Sequence, residues 1–180
     1  MRRVVIFAAS LFALSACTAE PVPSTAPDQT VEPPASTAAA PTSAQAPPAP
    51  EPVADGPCPY LESAAVADAN GQRVTKVRIS ADKPHPACFF YRPDGTVQLT
   101  VRIYVGEAAV ATAIVDEAAP RATSDPARSP QGWKGGSLSG DKGAVYAVAK
   151  DKVAVVVTSN QAQTIKARRI VEAVVTELGL

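Results

Sequence analysis

The sequence predicts an α+β domain in which one antiparallel sheet of about five to six strands is covered by helices. Segments whose apolar residues alternate with a period of two are interleaved with segments whose apolar residues recur every three or four positions. The resulting order is helix, strands, helix, strands, helix. Short turns join consecutive strands, which is typical of hairpins and therefore of an antiparallel sheet.

Composition divides the chain into three parts. Of the 18 prolines among 180 residues, 12 lie between Pro21 and Pro59. We predict a signal peptide over residues 1–16, a disordered tether rich in Pro, Ala, Ser and Thr over residues 17–57, and one globular domain over residues 58–180. The last part carries 15 basic and 12 acidic side chains, a mild excess that gives no bias toward nucleic acid. The length excludes a two-domain enzyme.

The first residues are typical of an exported protein. Met1-Arg2-Arg3 is basic, residues 4–14 are apolar, and the motif Leu14-Ser15-Ala16-Cys17 ends the segment. This motif resembles the bacterial lipobox, and the resemblance implies that a lipidated Cys17 anchors the mature protein to the extracytoplasmic face of the cell membrane. The alternative is an ordinary secreted protein cleaved after Ala16. Residues 4–14 are too few for a transmembrane helix, which needs about 20 apolar residues.

Cys58 and Cys88 are the two remaining cysteines. In an oxidising compartment such a pair favours a disulfide, which we predict here. The alternative is two buried free thiols. Since the chain places too few further ligands near them for a metal site, no metal and no cofactor is predicted.

The first half of the domain contains one helix and three strands. Residues 60–69 have apolar positions at helical spacing and predict the helix. Residues 74–80 and 87–91 are rich in Val, Ile and aromatic side chains and predict strands. The turn at residues 92–95 leads into residues 97–105, whose strict alternation makes them the clearest strand of the chain.

The second half continues with a helix, a long loop and a hairpin. Residues 107–119 are alanine-rich with apolar side chains at helical spacing and predict the second helix. Residues 121–140 contain two prolines and four glycines with no apolar period, and we interpret them as an irregular surface loop. Residues 144–149 and 153–158 predict the two strands of a hairpin.

A third helix ends the chain. We expect Asn160 to cap its first turn and Gly179 to end it. Its side chains Lys166, Arg168 and Arg169 are expected to point outward. They could attract an anionic polymer, but no aromatic residues are interleaved with them, so a polar helix face is the favoured interpretation.

Few residues of the domain are candidates for catalysis. His85 is the sole histidine and lies in a polar loop, so no pair of histidines is present for a metal site. Gly136-Ser137-Leu138-Ser139-Gly140 resembles a nucleophile elbow only superficially, because Leu138 stands where the serine is required. Asp116 and Glu117 are adjacent on a helix and point in different directions. We therefore predict no enzymatic activity.

Trp133 lies among glycines in the predicted loop. Such a tryptophan either fills a gap in the core, which we favour, or is exposed as an anchor for a partner. If Trp133 is exposed, residues 121–140 form the recognition surface. The candidate partner-binding residues are then Trp133, Lys134 and Arg128.

Several blocks of the domain resemble an actinobacterial family of exported lipoproteins, the domain of unknown function two-thousand-twenty. The blocks are Cys58-Pro59-Tyr60-Leu61, Asn70-Gly71-Gln72-Arg73-Val74-Thr75, Pro86-Ala87-Cys88-Phe89-Phe90-Tyr91-Arg92, Gly132-Trp133-Lys134-Gly135-Gly136 and Ala144-Val145-Tyr146-Ala147-Val148. The resemblance implies no activity and no catalytic residue. The order of elements is also similar to the α/β/α sandwich of PsbP-like and Mog1-like proteins, which is an analogy of fold alone.

The sequence thus predicts a non-catalytic lipoprotein of the cell envelope. Its membrane contact is the lipid anchor, and its domain is expected to bind an envelope protein, polysaccharide or lipid that the sequence does not identify. The alternative is an envelope hydrolase or transferase that uses carboxylates, Ser137 or Ser139 without a histidine.

Overall fold

The computed structural model describes residues 44–128 and 131–180. The predicted signal peptide, the lipidation site Cys17 and residues 18–43 of the predicted tether lie outside these ranges. None of the helices in the described ranges is long and apolar enough to cross a membrane.

The described residues form one open antiparallel sheet of eight strands with three helices. The strands, in chain order, are β1 (Ala54–Asp55), β2 (Lys76–Ile79), β3 (Cys88–Tyr91), β4 (Val97–Val105), β5 (Asp125–Arg128), β6 (Lys134–Gly140), β7 (Gly143–Lys150) and β8 (Val153–Ser159). The helices are α1 (Ser63–Asn70), α2 (Ala108–Ala118) and α3 (Thr164–Leu178). Neighbours in the sheet follow the order β1-β2-β3-β4-β8-β7-β6-β5. The mixed α and β composition and the antiparallel sheet confirm the coarse prediction.

The expected five to six strands were too few. Residues 121–140 are not an irregular loop, because they contain β5 and β6. The glycines of β6 leave it without an apolar period, and they permit close packing. A Cβ at Gly136 would lie 3.0 Å from the Cβ of Ala119, just after α2. Pro126 lies on an edge strand, which is where prolines within sheets are mostly found because they cannot donate to a ladder.

Helices cover both faces of the sheet. On β8, Val155 and Val157 belong to a core shared with α1 and α3, whereas Ala154 and Val156 belong to a second core shared with α2. This alternation follows from the period of two in a strand. The nearly continuous apolar run of β8 is therefore explained by burial on both sides.

Residues 44–57 contact the sheet although their composition predicted a disordered tether. Arg102 donates hydrogen bonds to the carbonyl oxygens of Pro47 and Pro48, both at 3.1 Å. The backbone N–H of Val53 donates to Ile79 O at 2.9 Å, and β1 then pairs with β2. The ordered domain therefore begins before Cys58, because sheet contacts satisfy backbone groups that composition alone leaves to water.

The predicted disulfide between Cys58 and Cys88 is confirmed, with Cα atoms 5.6 Å apart. It ties the segment before α1 to the buried strand β3. Next to it, the Tyr60 hydroxyl donates to Pro86 O at 2.7 Å. Burial raises the pKa of this hydroxyl, so Tyr60 remains a neutral donor at physiological pH.

A buried polar cluster joins the end of α1 to the sheet. Asn70 is fully buried, and its side chain donates to Gln98 at 3.0 Å and to Asn160 at 3.1 Å while accepting from Ser159 at 2.7 Å. Asn160 therefore does not cap α3, and the residue at the N-cap is Gln163. The prediction failed because α3 begins only at Thr164, four residues after Asn160.

Both α1 and α3 end at a glycine. Gly71 ends α1 with a φ of 72°, and Gly179 ends α3 with a φ of 62°, as glycine permits. Lys166 differs from its predicted outward position, because its Nζ donates to Asn70 O at 3.0 Å at the end of α1. This bond satisfies a carbonyl that the last turn of α1 leaves unpaired.

Candidate anion-binding cleft

A cleft of about 440 Å³ opens between α2 and the end of the sheet formed by β5, β6 and β7. We call it the cationic cleft. Its lining consists of Thr112, Val115, Asp116, Arg121, Ser124, Pro126, Ala127, Arg128, Lys134, Gly135, Ala149, Lys150 and Asp151. Because α2 packs on β6, β7 and β8, the edge strand β5 projects beyond the helix and leaves this space open.

Two cations face each other across the β5–β6 ladder in this cleft. Arg128 is the direct register partner of Lys134, and Lys134 in turn pairs with Ala149 of β7. Directly opposite residues in an antiparallel pair share a face, with Cβ atoms about 5 Å apart. Ala149 packs against the core on the α2 side, so both cations belong to the face that α2 covers. Like charges in this arrangement destabilise the ladder.

The cations of the cleft are only partly neutralised. Arg121 pairs with Asp116, with its Nε 2.9 Å from the carboxylate. Within residues 44–128 and 131–180, no carboxylate oxygen lies within 4.0 Å of the charged nitrogens of Arg128, Lys134 or Lys150. The lining holds four basic side chains and two carboxylates, so the cleft carries an excess of positive charge, which favours a ligand with phosphate, sulfate or carboxylate groups.

Trp133 is a core residue with 2% of its surface exposed, so the exposed-anchor interpretation is wrong. It immediately precedes β6 and packs in the core shared with α3. Lys150 lies over its ring, with Nζ 5.9 Å from the ring centroid. The neighbouring glycines predicted nothing about exposure, because the packing of α3 decides it. Of the three candidate residues, Arg128 and Lys134 line the cleft and Trp133 supports it from the opposite face.

A second cleft, of about 230 Å³, lies on the other face of the β5 end. We call it the α3-side cleft. It is lined by Pro126, Ala127, Arg128, Ser137, Tyr146, Thr164, Ile165 and Arg168. Arg168 makes an ion pair at 2.8 Å with Glu172, one turn further along α3. Burial raises the pKa of the Tyr146 hydroxyl, which therefore stays neutral.

The residues considered for catalysis are dispersed. His85 contacts Tyr60 edge-on, with ring centroids 6.1 Å apart, in the loop before β3. Ser137 lies on β6, four strands away in the sheet order, which is roughly 19 Å at about 4.8 Å per strand. Ser139 donates its hydroxyl to Ala162 O at 2.7 Å. Among the described residues, no group of three His, Cys, Asp or Glu side chains is arranged to hold a metal ion.

Of the other two cations of the cleft, Arg121 lies in the predicted recognition surface but was not a named candidate, and Lys150 lies outside that surface. Lys150 ends β7, far in sequence from β5, whereas Arg121 follows α2 and precedes β5 by four residues. Only the pairing of β5 with β6 and of β6 with β7 brings them to one end of the sheet. The local sequence carries no signal of that pairing.

The fold and the cleft define a small antiparallel α+β domain with a cationic surface at one end of its sheet. The chain belongs to the family described as Domain of unknown function (DUF2020), whose model matches residues 42–180. The match begins close to the first described residue and so includes the segment that contacts the sheet before Cys58. No curated protein matches the chain.

Proposed function

We propose that this protein is a non-catalytic lipoprotein of the cell envelope whose domain binds an anionic partner in the cationic cleft. The observation that carries the proposal is the like-charged pair of Arg128 and Lys134, which face each other without a carboxylate partner among the described residues. An anion placed between them would receive charge-assisted hydrogen bonds from both and would relieve their repulsion.

The envelope location rests on two features. The Leu14-Ser15-Ala16-Cys17 motif resembles a lipobox, which would place the lipidated Cys17 at the extracytoplasmic face of the membrane. The disulfide between Cys58 and Cys88 supports export, because such bonds persist mainly in oxidising compartments.

The non-catalytic assignment rests on the separation of the reactive groups. Asp116 is held by Arg121, and Ser137 has the sole histidine several strands away. Incubating the full chain with ester, peptide and glycan substrates tests this point. Turnover that disappears in Ser137→Ala or Asp116→Asn would establish the hydrolase or transferase alternative instead.

The binding proposal is tested by titrating the full chain with tripolyphosphate as the probe. Trp133 is the single tryptophan of the chain, and Lys150, which lines the cleft, lies over its ring, so its fluorescence reports on Lys150; calorimetry gives the affinity independently. Lys134→Gln is expected to weaken binding by about 10-fold or more, because a charge-assisted hydrogen bond contributes about 1.5–3 kcal/mol.

The matched control is Lys142→Gln. Lys142 lies in the turn at the opposite end of the β6–β7 hairpin, is exposed, and loses the same charge on substitution. It should leave the affinity unchanged. Equal losses in the two variants, or no binding by the unmodified chain, would refute the cleft as the binding site.

A further inference from the structure

The two clefts lie on opposite faces of the sheet and meet at β5. The cationic cleft is bounded by α2 and the other by α3, and both are lined by Pro126, Ala127 and Arg128. β5 is the last strand in the sheet order. Among the described residues no further strand covers the outer edge of β5, so β5 alone separates the two clefts there, and Arg128 lines both of them.

We propose that the two clefts form one continuous path for an extended polyanion, a linear polymer that carries repeated phosphate or carboxylate groups. The proposal rests on the proposed function and specifies its ligand. One part of the polymer contacts Lys134 and Arg128 on the α2 side. A later part crosses the β5 edge and reaches Arg168 on the α3 side.

The positive charge of the domain is concentrated along this path. The lining of the two clefts includes five basic side chains and two carboxylates. Residues 58–180 carry 15 basic and 12 acidic side chains in total, so the remainder of that region is neutral overall. A neutral body with one cationic groove attracts a polyanion to that groove rather than to its surface in general.

The distance along the path favours a polymer over a small anion. The path begins at Lys134 on β6, passes the edge of β5 and ends at Arg168 on α3. The spacings between strands and between layers give it a length on the order of 20 Å. A small anion cannot contact both ends of such a path. A flat membrane surface cannot enter two concave clefts on opposite faces at the same time.

Arg168 can join the ligand despite its ion pair. Its Nε contacts Glu172 at 2.8 Å, which leaves the two terminal nitrogens of the guanidinium as donors. Both side chains are partly exposed, and such pairs are weak. Neutralising Glu172 would free Arg168 completely, so Glu172→Gln is expected to increase affinity for the polymer.

The test compares short and long anions on the full chain. Tripolyphosphate, long-chain polyphosphate and polygalacturonate are titrated by calorimetry, the last two being a phosphate polymer and a carboxylate polymer. At least one polymer is expected to bind about 10-fold or more tightly than tripolyphosphate, because the second contact becomes intramolecular. The tighter polymer identifies the charged group that the path prefers.

Variants separate the two halves of the path. Arg168→Gln should remove most of the advantage of the long polymer and leave tripolyphosphate affinity unchanged, whereas Lys134→Gln should weaken both. Arg169→Gln is the matched control, since Arg169 is the exposed neighbour of Arg168 and does not line either cleft. Far-ultraviolet circular dichroism and the Tm of each variant verify that the fold is retained.

The possible negative results distinguish the failure of the path from the failure of the proposed function. If short and long anions bind equally and Lys134→Gln weakens both, the cleft binds a small anion and the path is refuted, while the proposed function stands. Equal effects of Arg168→Gln and Arg169→Gln, or competition by anionic phospholipid vesicles as strong as by free polymer, would also refute the path. Absence of binding by every anion would refute the proposed function itself.

Discussion

Replacing Lys134 with glutamate is expected to stabilise the domain while abolishing its affinity for tripolyphosphate. The β5–β6 register places Lys134 directly opposite Arg128 on one face, and both side chains are exposed. A like-charged pair in this position costs about 0.2–1 kcal/mol, and an opposite-charged pair contributes a similar stabilisation. The substitution therefore changes the sign of the interaction, and the expected gain in the free energy of unfolding is about 1 kcal/mol.

Thermal unfolding of the full chain measures this gain. For a domain of this size, about 1 kcal/mol corresponds to a rise in Tm of roughly 3–4 °C. The rise should be largest at about 0.01 M salt and should nearly disappear at about 1 M, where the Debye length falls from about 30 Å to about 3 Å.

The control for this prediction is Lys142→Glu, which makes the same charge change in the turn between β6 and β7. It should alter Tm by less than Lys134→Glu at low salt. A Lys134→Glu variant that is no more stable than the Lys142→Glu variant would show that the Arg128–Lys134 repulsion is absent. Such a result would remove the main support for the anion site.

Three further substitutions test the core, the polar cluster and the anchor. Trp133→Ala should cost about 3–5 kcal/mol in urea unfolding, and Trp133→Phe clearly less, since the buried indole Nε1 has no hydrogen-bond partner among the described residues. Asn70→Ala should cost about 2–4 kcal/mol, because it leaves the buried partners of Asn70 unpaired, whereas the exposed Asp68→Ala on α1 should change stability by less than about 0.5 kcal/mol. Metabolic labelling with a fatty-acid probe should mark the wild-type protein and not Cys17→Ser.

These three predictions fail in distinct ways. A loss for Trp133→Ala below about 1 kcal/mol would mean that the indole is not part of the core. Equal effects of Asn70→Ala and Asp68→Ala would mean that the buried cluster does not hold α1 to the sheet. Equal labelling and membrane association of the wild type and Cys17→Ser would refute the lipobox.

The parts of the fold that could be predicted are those with a strong local pattern. In β4 and β8 the apolar side chains follow the pattern expected of strands, and in the helices apolar residues recur at intervals of three and four positions. β5 and β6 have no such pattern, because proline and glycine give little strand propensity and their pairing depends on contacts with α2 and β7. β1 was missed for a similar reason, since it is short and follows a proline-rich segment.

The candidate site was predicted in part. Arg128 and Lys134 were selected because they lie in a long segment between helix and hairpin. Their position opposite each other depends on register, and a shift by one residue would place them on opposite faces of the sheet. Register is a property of two paired strands, so a single-strand pattern does not contain it. The burial of Trp133 also depends on register, because register decides on which face of the sheet its side chain lies.

The disulfide determines how the domain would respond to a mechanical load applied at its N-terminal end. Tension on the chain before residue 44 reaches first the hydrogen bonds of Arg102 to Pro47 and Pro48, and then the short β1–β2 pairing. These contacts can peel away one after another. At Cys58 the covalent bond transfers the force directly to β3, which is paired on both sides within the sheet. The segment before Cys58 can thus extend under load, while the disulfide keeps the force from unfolding α1 and the rest of the domain.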